Sequence, residues 1–447
     1  MGDIQSASSI TVSSTDVAVY KYNALFARIN YNLDEKYLVD ITARRGGSSR
    51  FGSADDLHNF GAAGLGWLFS NERFVKDNLA FVSFGKLKFS YGTTGNDQIG
   101  DYQYLDLYSP TYAGVPYQGV TGLAPVSLPN PYIEWEETRK INIGTDLGFI
   151  KDRIILNVNA YRNRSSNQLT SQALPIITGF NGVTENFPAT VQNSGVELSL
   201  RTINIKRKNF QWTTNLNLTI PKNKLVSYKN IASSGDAYAY VVGKPVTITR
   251  LFHLIGVDPA TGVYEFATSK GNPTTNPDYF TDANIYDNTA ATLYGGLENS
   301  IQYKGFNLDF LFQGVKQLGQ TYAYGDYPGY LYNQPATVLQ RWQKPGDLAP
   351  IQRYNADFSL SGPFSIASTA SDGAYRDASF IRLKNVSLSW QFPGDWQKRR
   401  FLHSARIYIQ GQNVLTFTKY IGLDPGTKSN TTLPPLRVIT AGIQVSL

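Results

Sequence analysis

The sequence predicts an all-β fold: an antiparallel transmembrane β-barrel, or part of a large one, with long loops on one side. Three observations predict it. Apolar and polar residues alternate with period two over many segments of about ten residues, the length of a tilted strand that crosses a bilayer. The polar positions carry mostly Asn, Gln, Ser, Thr and Gly, as a water-filled lumen requires, rather than the Lys and Glu of a soluble sheet's outer face. Short and long gaps separate these segments, which gives tight turns at one rim and long loops at the other.

The alternation is plainest at 139–149, where Ile141, Ile143, Leu147 and Phe149 share one face and Lys140, Asn142, Gly144 and Asp146 the other. At 210–220, Phe210, Trp212, Leu216, Leu218 and Ile220 oppose Gln211, Thr213, Asn215, Asn217 and Thr219. The same rhythm recurs at 25–33, 87–91, 154–162, 196–200, 306–312, 386–392 and 439–447, a dozen or more strands in all. Tight turns are expected at 149–153, 205–209 and 303–305. Long loops rich in Pro, Gly, Tyr and Asn are expected at 93–134, 168–190, 222–293, 316–375 and 417–437. Trp212, Trp390, Trp396, Phe401 and Tyr408 sit near strand ends, where an interfacial aromatic girdle belongs. No helix longer than a turn or two is expected, with 336–342 the best candidate.

Composition agrees with this fold. Charged residues make up 17% and aromatic residues 13%, with 29 Tyr and 24 Phe, whereas a typical soluble domain is about 25% charged. Mean hydropathy is only −0.27, because a barrel wall is apolar on one face alone. No run approaches the roughly 18 apolar residues of a transmembrane helix. The chain has no cysteine, and His58, His253 and His403 are far apart, so neither a disulfide scaffold nor a zinc or other metal centre is expected. The net charge of +7 collects in short runs such as 206–208 and 398–400. These read as solvated turns, not as a nucleic-acid groove. Residues 1–16 are polar and Ser/Thr-rich, a leader or loop remnant without the basic start and apolar core of a signal peptide.

Several ordered motifs carry a family resemblance. They are 375–388 (YRDASFIRLKNVSL), 410–420 (QGQNVLTFTKY) with 422–425 (GLDP), 341–347 (RWQKPGD), 129–131 (PNP) with 135–138 (WEET), and 256–262 (GVDPATG). Together they resemble the C-terminal portion of the SusC/RagA-type TonB-dependent receptors of Bacteroidota, from about residue 23 onward. The resemblance implies a barrel of about 22 strands, of which residues 1–447 would supply C-terminal strands. It also implies a signal peptide, a TonB box and a plug domain, none of which is recognisable in this sequence, and an aromatic last residue where this chain has Leu447. By resemblance the intact protein imports oligosaccharides, or peptides, across the outer membrane. Its partners are a SusD-like surface lipoprotein, the TonB–ExbB–ExbD complex reached through the N-terminal region, and outer-membrane lipid. No cofactor and no nucleic acid enter. A secreted or surface glycan-binding adhesin without transport is the alternative, as is a non-functional truncated fragment. An isolated set of strands with two raw edges is expected not to survive as a soluble monomer without detergent.

No catalytic constellation is expected. There is no Gly-x-Ser-x-Gly elbow, and the adjacent Glu136 and Glu137 would point to opposite faces of a strand. Asp258 in 256–262 reads as an Asx turn in preference to a calcium ligand. The candidate ligand-binding residues are aromatic. Tyr322, Tyr324, Tyr327, Tyr330, Tyr332 and Trp342 crowd one loop; Tyr104 and Tyr108, with Tyr102, Tyr112 and Tyr117, crowd another. Aromatic faces stack on sugar C–H faces while phenols and amides satisfy sugar hydroxyls. The competing reading is that the rings pack the loops together or meet a partner protein.

Overall fold

A computed structural model of the chain describes residues 17–52, 57–110, 118, 120, 122–393, 404–429 and 431–446. The polar start at 1–16, Tyr112, Tyr117, Trp396, Phe401, His403, the basic run at 398–400 and Leu447 lie outside the described residues.

Alternating sequence becomes one continuous sheet of 13 strands. These are β1 (Tyr22–Leu33), β2 (Tyr37–Ser48), β3 (Leu57–Trp67), β4 (Val82–Asn96), β5 (Glu136–Phe149), β6 (Ile154–Ser166) and β7 (Ala189–Arg207). They continue as β8 (Phe210–Tyr228), β9 (Leu293–Tyr303), β10 (Phe306–Lys316), β11 (Phe380–Gln391), β12 (Ser404–Thr418) and β13 (Val438–Ser446). Every pairing is antiparallel and joins neighbours in sequence, a pure meander. The β1/β2, β5/β6, β7/β8 and β9/β10 connections are tight turns, β3/β4 is a longer link carrying the helix Arg73–Asn78, and the longest loops (97–135, 167–188, 229–292 and 317–379) all leave from the opposite rim. The β1/β2 turn uses left-handed Asp34 and Glu35, and the β9/β10 turn uses Lys304 and Gly305 at φ 46° and 89°. Such conformations match the twist of the strands they join. The β7/β8 turn is tighter than 205–209, since β7 runs through Arg207 and β8 restarts at Phe210.

Register keeps the apolar side chains on one face from strand to strand. Ile29 faces Ile41, Leu65 faces Phe89, and Phe89 faces Ile143. Farther along, Leu198 faces Leu218, Leu297 faces Phe312, and Leu388 faces Ile409. Many of these residues are open: Ile29 is 65% exposed, Leu65 54% and Ile143 57%. An exposed apolar face that runs across every strand is a membrane-contacting surface. It is interrupted near the turn rim by Thr202, Asn204, Thr214 and Asn299, which hydrogen-bond among themselves at 2.7 Å each, with the Trp212 indole donating to Asn299 at 2.9 Å. Polar groups facing hydrocarbon must be satisfied internally, and these are. Near the same rim, Phe306 stacks on Trp390 at 5.7 Å and Phe210 meets Tyr303 edge-on, beside the expected girdle residues Trp212 and Tyr408.

The opposite face is polar and cross-linked. Arg28 pairs with Asp40 at 2.5 Å and Lys88 with Asp146 at 2.7 Å, while Asn215 donates to Glu298 at 3.1 Å. A charged outer strand face, which an adhesin would present, is not what these strands carry. β7 and β8 are each 19 residues long, about twice the length needed to cross a bilayer. Their loop-side halves therefore project beyond the apolar band.

Helix is sparse: Arg73–Asn78, Tyr279–Asp282 and the nine-residue Ser361–Thr369. The expected helix at 336–342 is a short 3-10 turn, Ala336–Gln340, which the extended Arg341 stops.

Candidate functional site

The loops at the long rim fold against each other. In 229–292, His253–Val257 pairs with Tyr264–Ala267, and Ile248–Leu251 with Ile285–Asn288. In 317–379, Leu318–Gln320 pairs with Tyr375–Asp377 beside the helix at Ser361–Thr369. Phe252, Tyr264, Phe266 and Ala283 from the first loop and Tyr327, Phe364 and Ala367 from the second share one buried core. Burial pushes the Tyr264 phenol well above its usual range, and its hydroxyl donates to the Pro350 carbonyl at 2.9 Å.

Local chemistry shapes this cap. Asp258 closes an Asx turn, its carboxylate accepting from the Ala260 and Thr261 amides and the Thr261 hydroxyl, which hold it below the usual carboxylate range. Gly262 follows at φ 73° with the Trp342 ring directly over its Cα, so that a Cβ there would sit 2.5 Å from the indole. The indole N–H donates to the Pro259 carbonyl at 2.9 Å. The last loop is tied down by a buried ion pair: Arg382 of β11 holds Asp424, and its Nε donates to Thr416 at 3.0 Å. Tyr420, buried beside it, is pushed up to about 12 by burial, and its hydroxyl donates to the Gln320 carbonyl at 2.7 Å.

The predicted aromatic residues divide by exposure. Tyr327 and Trp342 are buried, and the Tyr330 ring lies tilted at 5.3 Å from that of Tyr327. Tyr322 is half-buried, with its hydroxyl toward the Lys428 carbonyl at 3.4 Å. Tyr332 is 66% exposed, beside Tyr330 at 4.8 Å. In the other loop, Tyr102 accepts a hydrogen bond from the Val19 amide, Tyr104 is half-buried, and Tyr108 is 59% exposed in the small hairpin Tyr108–Pro110 with Leu123–Pro125. Glu136 and Glu137 take separate partners, Asn96 and Arg139.

Tyr324 lines a cavity of about 470 Å3 between the cap and the last loop. Thr337, Gln340, Ile351, Arg376, Asp377 and Lys419 line it too. Of these, Arg376, Asp377 and Lys419 lie in the sequence motifs, yet nothing in the alternation marked them as site residues. A second cavity, about 680 Å3, lies on the sheet's polar face toward the loop rim. Tyr22, Phe26, Phe60, Trp135, Arg28 and Arg44 line it. The available signal was aromatic residues at polar-face positions, Phe26 and Phe60, out of step with the alternation. Among the described residues, no group of three His, Asp or Glu side chains is placed to hold a metal.

Comparison with known proteins gives consistent likenesses. Residues 2–414 match the family described as TonB dependent receptor-like, beta-barrel. TonB-dependent receptor P39 of Formosa agariphila is 38% identical over 49% of this chain and 20% of its own length. TonB-dependent receptor SusC of Bacteroides thetaiotaomicron is 31% identical over 68% of this chain and 31% of its own length. Among solved structures, that of the RagAB peptide transporter superposes with a TM-score of 0.82 at 23% identity, over 98% of this chain and 49% of the other. The chain thus spans less than half the length of each of these relatives.

Proposed function

The chain belongs to the β-barrel family of TonB-dependent receptors, which are outer-membrane transporters and receptors and not enzymes, and on that premise we propose that it forms part of the wall of an importer of oligosaccharides. The observation that carries this reading is the sheet itself. One face is apolar and exposed across all 13 strands, the other is polar, and folded loops cap a single rim. That arrangement separates lipid from an aqueous path and places a recognition surface at the outer mouth. The exposed Tyr332 and Tyr108 and the cavity at Tyr324 supply aromatic faces, phenols and amides suited to sugars. Tyr322, Tyr327, Tyr330, Trp342 and Tyr104 set the shape of that surface from within or from its edge.

In this reading residues 1–447 are C-terminal barrel strands, and a plug and TonB box elsewhere in the intact receptor connect it to TonB–ExbB–ExbD. A SusD-like lipoprotein lids the loops. The apolar wall favours this function over an adhesin. Peptide cargo is the second reading, since the RagAB relative is a peptide transporter.

The test is deletion of the gene in its host, followed by growth on a panel of oligosaccharides and peptides as sole carbon source. Loss of growth on one oligosaccharide class, restored by the gene and abolished by collapsing the proton gradient, is the expected result. Loss confined to peptides replaces the cargo. Unchanged growth on everything rejects the importer.

A further inference from the structure

The cavity at Tyr324 has a charge pattern that neutral sugars do not need. Arg376 and Lys419 line it, and neither forms an ion pair among the described residues. Arg376 spends one N–H on the Asp372 carbonyl at 3.3 Å, leaving the rest of its guanidinium open. The Tyr324 phenol, the Gln340 amide and the Thr337 hydroxyl are without hydrogen-bond partners among the described residues and line the same space.

The carboxylates nearby are already engaged. Asp377 accepts from the Ser379 amide at 2.8 Å and is held below the usual carboxylate range by Ser379, with Lys316 and Lys419 adding to the effect. Asp372 is bound to His253 at 2.6 Å and to the Leu254 amide at 2.9 Å. Among the residues lining the cavity, therefore, two cations (Arg376 and Lys419) face one acid, Asp377, whose Oδ1 is already engaged by the Ser379 amide. What is left over is a set of donors and one net positive charge, beside the apolar floor of Pro350, Ile351 and Ile421.

Resting on the oligosaccharide reading above, we propose that this cavity recognises an acidic sugar, a uronate unit whose carboxylate lies between Arg376 and Lys419 while its ring packs on Tyr324 and Ile351. A planar guanidinium matches a carboxylate geometrically and a nearby ammonium adds charge, which is the usual way a protein selects an acid over its neutral analogue. A volume near 470 Å3 falls within the range of small-ligand sites, about 300–1,000 Å3.

The experiment is calorimetric titration of the full chain, purified from outer membranes in detergent, with tri-galacturonate, its methyl ester and an unmodified tripeptide. The acid is expected to bind at least about tenfold tighter than the ester, as a charge-assisted hydrogen bond contributes. The double variant Arg376→Gln with Lys419→Gln should erase that gap and leave the ester's affinity unchanged, which also shows that the site still folds. Arg376→Lys should keep most of the preference. Equal binding of acid and ester, or a gap that survives the double variant, overturns the inference while the oligosaccharide reading stands. Binding of the tripeptide with no binding of either sugar overturns both.

Discussion

Replacing Asp424 by alanine strands the Arg382 guanidinium where the side chain is only 4% exposed. In the native loop Asp424 does two things: it neutralises Arg382, and it accepts from the Gly426 and Thr427 amides at 2.8 and 3.2 Å. Arg382 in turn lies 4.9 Å from the Phe380 ring and holds Thr416 of β12. Removing one member of a buried pair leaves an uncompensated charge and costs about 3–5 kcal/mol. Because Asp424 belongs to the last loop and Arg382 to β11, the penalty falls on docking that loop and not on the sheet. Hydrogen exchange of the amides of Asp424, Gly426, Thr427 and Lys428 reads it directly. A loss of 3–5 kcal/mol raises the open population by roughly two to four orders of magnitude, so Asp424→Ala should exchange there that much faster while the amides of β11 stay protected. The double variant Arg382→Met with Asp424→Asn removes the charge and keeps a carbonyl acceptor for Gly426, and should restore most of the protection. Acceleration below tenfold in Asp424→Ala, or no recovery in the double variant, refutes the claim that this pair docks the loop.

Three further outcomes follow from the same geometry. Gly262→Ala forces a Cβ against Trp342 at a left-handed φ, and should expose 229–292 to proteolysis far more than Gly271→Ala, where φ is 82° and nothing lies within 4 Å; strain of this kind costs on the order of 1–3 kcal/mol, and equal cleavage of the two variants would contradict the packing described. Leu218→Arg, on the apolar face opposite Leu198, should destabilise the detergent-bound sheet by about 2–4 kcal/mol in a urea titration, whereas Ser199→Arg on the other face should change it little; the reverse order would mean the faces are assigned backwards. Asp282 accepts from the Ser269 and Asp278 amides, which lower its pKa. A depressed folded pKa contributes stability above the unfolded value and loses it as pH falls through the folded one, so exchange at Ser269 should rise below about pH 4; Asp282→Asn should abolish that pH dependence, and its persistence would assign it to another group.

Much of the wall was legible because a strand facing lipid on one side and water on the other must alternate, and β5, β8 and β10 do. β3 shows no clear alternation, because Gly61, Gly64 and Gly66 with Ala62 and Ala63 leave little contrast between its faces. β9 places Asn299 on the apolar side, where hydrogen bonds to Trp212 and Thr214 excuse it. Neither condition can be read locally. The loop core was less legible still: Phe252, Phe266 and Phe364 are ordinary loop aromatics until two loops distant in sequence are laid together. Buried Trp342 and exposed Tyr332 look alike in the chain, since a ring that packs and a ring that binds have the same composition. Arg376 and Lys419 stand out only once folding has placed them around one cavity with their acidic neighbours already engaged.

The meander has a kinetic side. Because every strand pairs only with its neighbours in sequence, β7 with β8 and β9 with β10 can zip as local hairpins across turns of two residues. Joining β8 to β9 is another matter, since their connecting segment is some thirty times longer, and closing it costs about 3 kcal/mol more in chain entropy. The cap core repays that entropy only after the loops have met. Assembly of the sheet should therefore be stepwise, with preformed hairpins waiting on the slow closure of 229–292 and 317–379. In such a sequence the loops that form the cap also set the pace at which the wall is built.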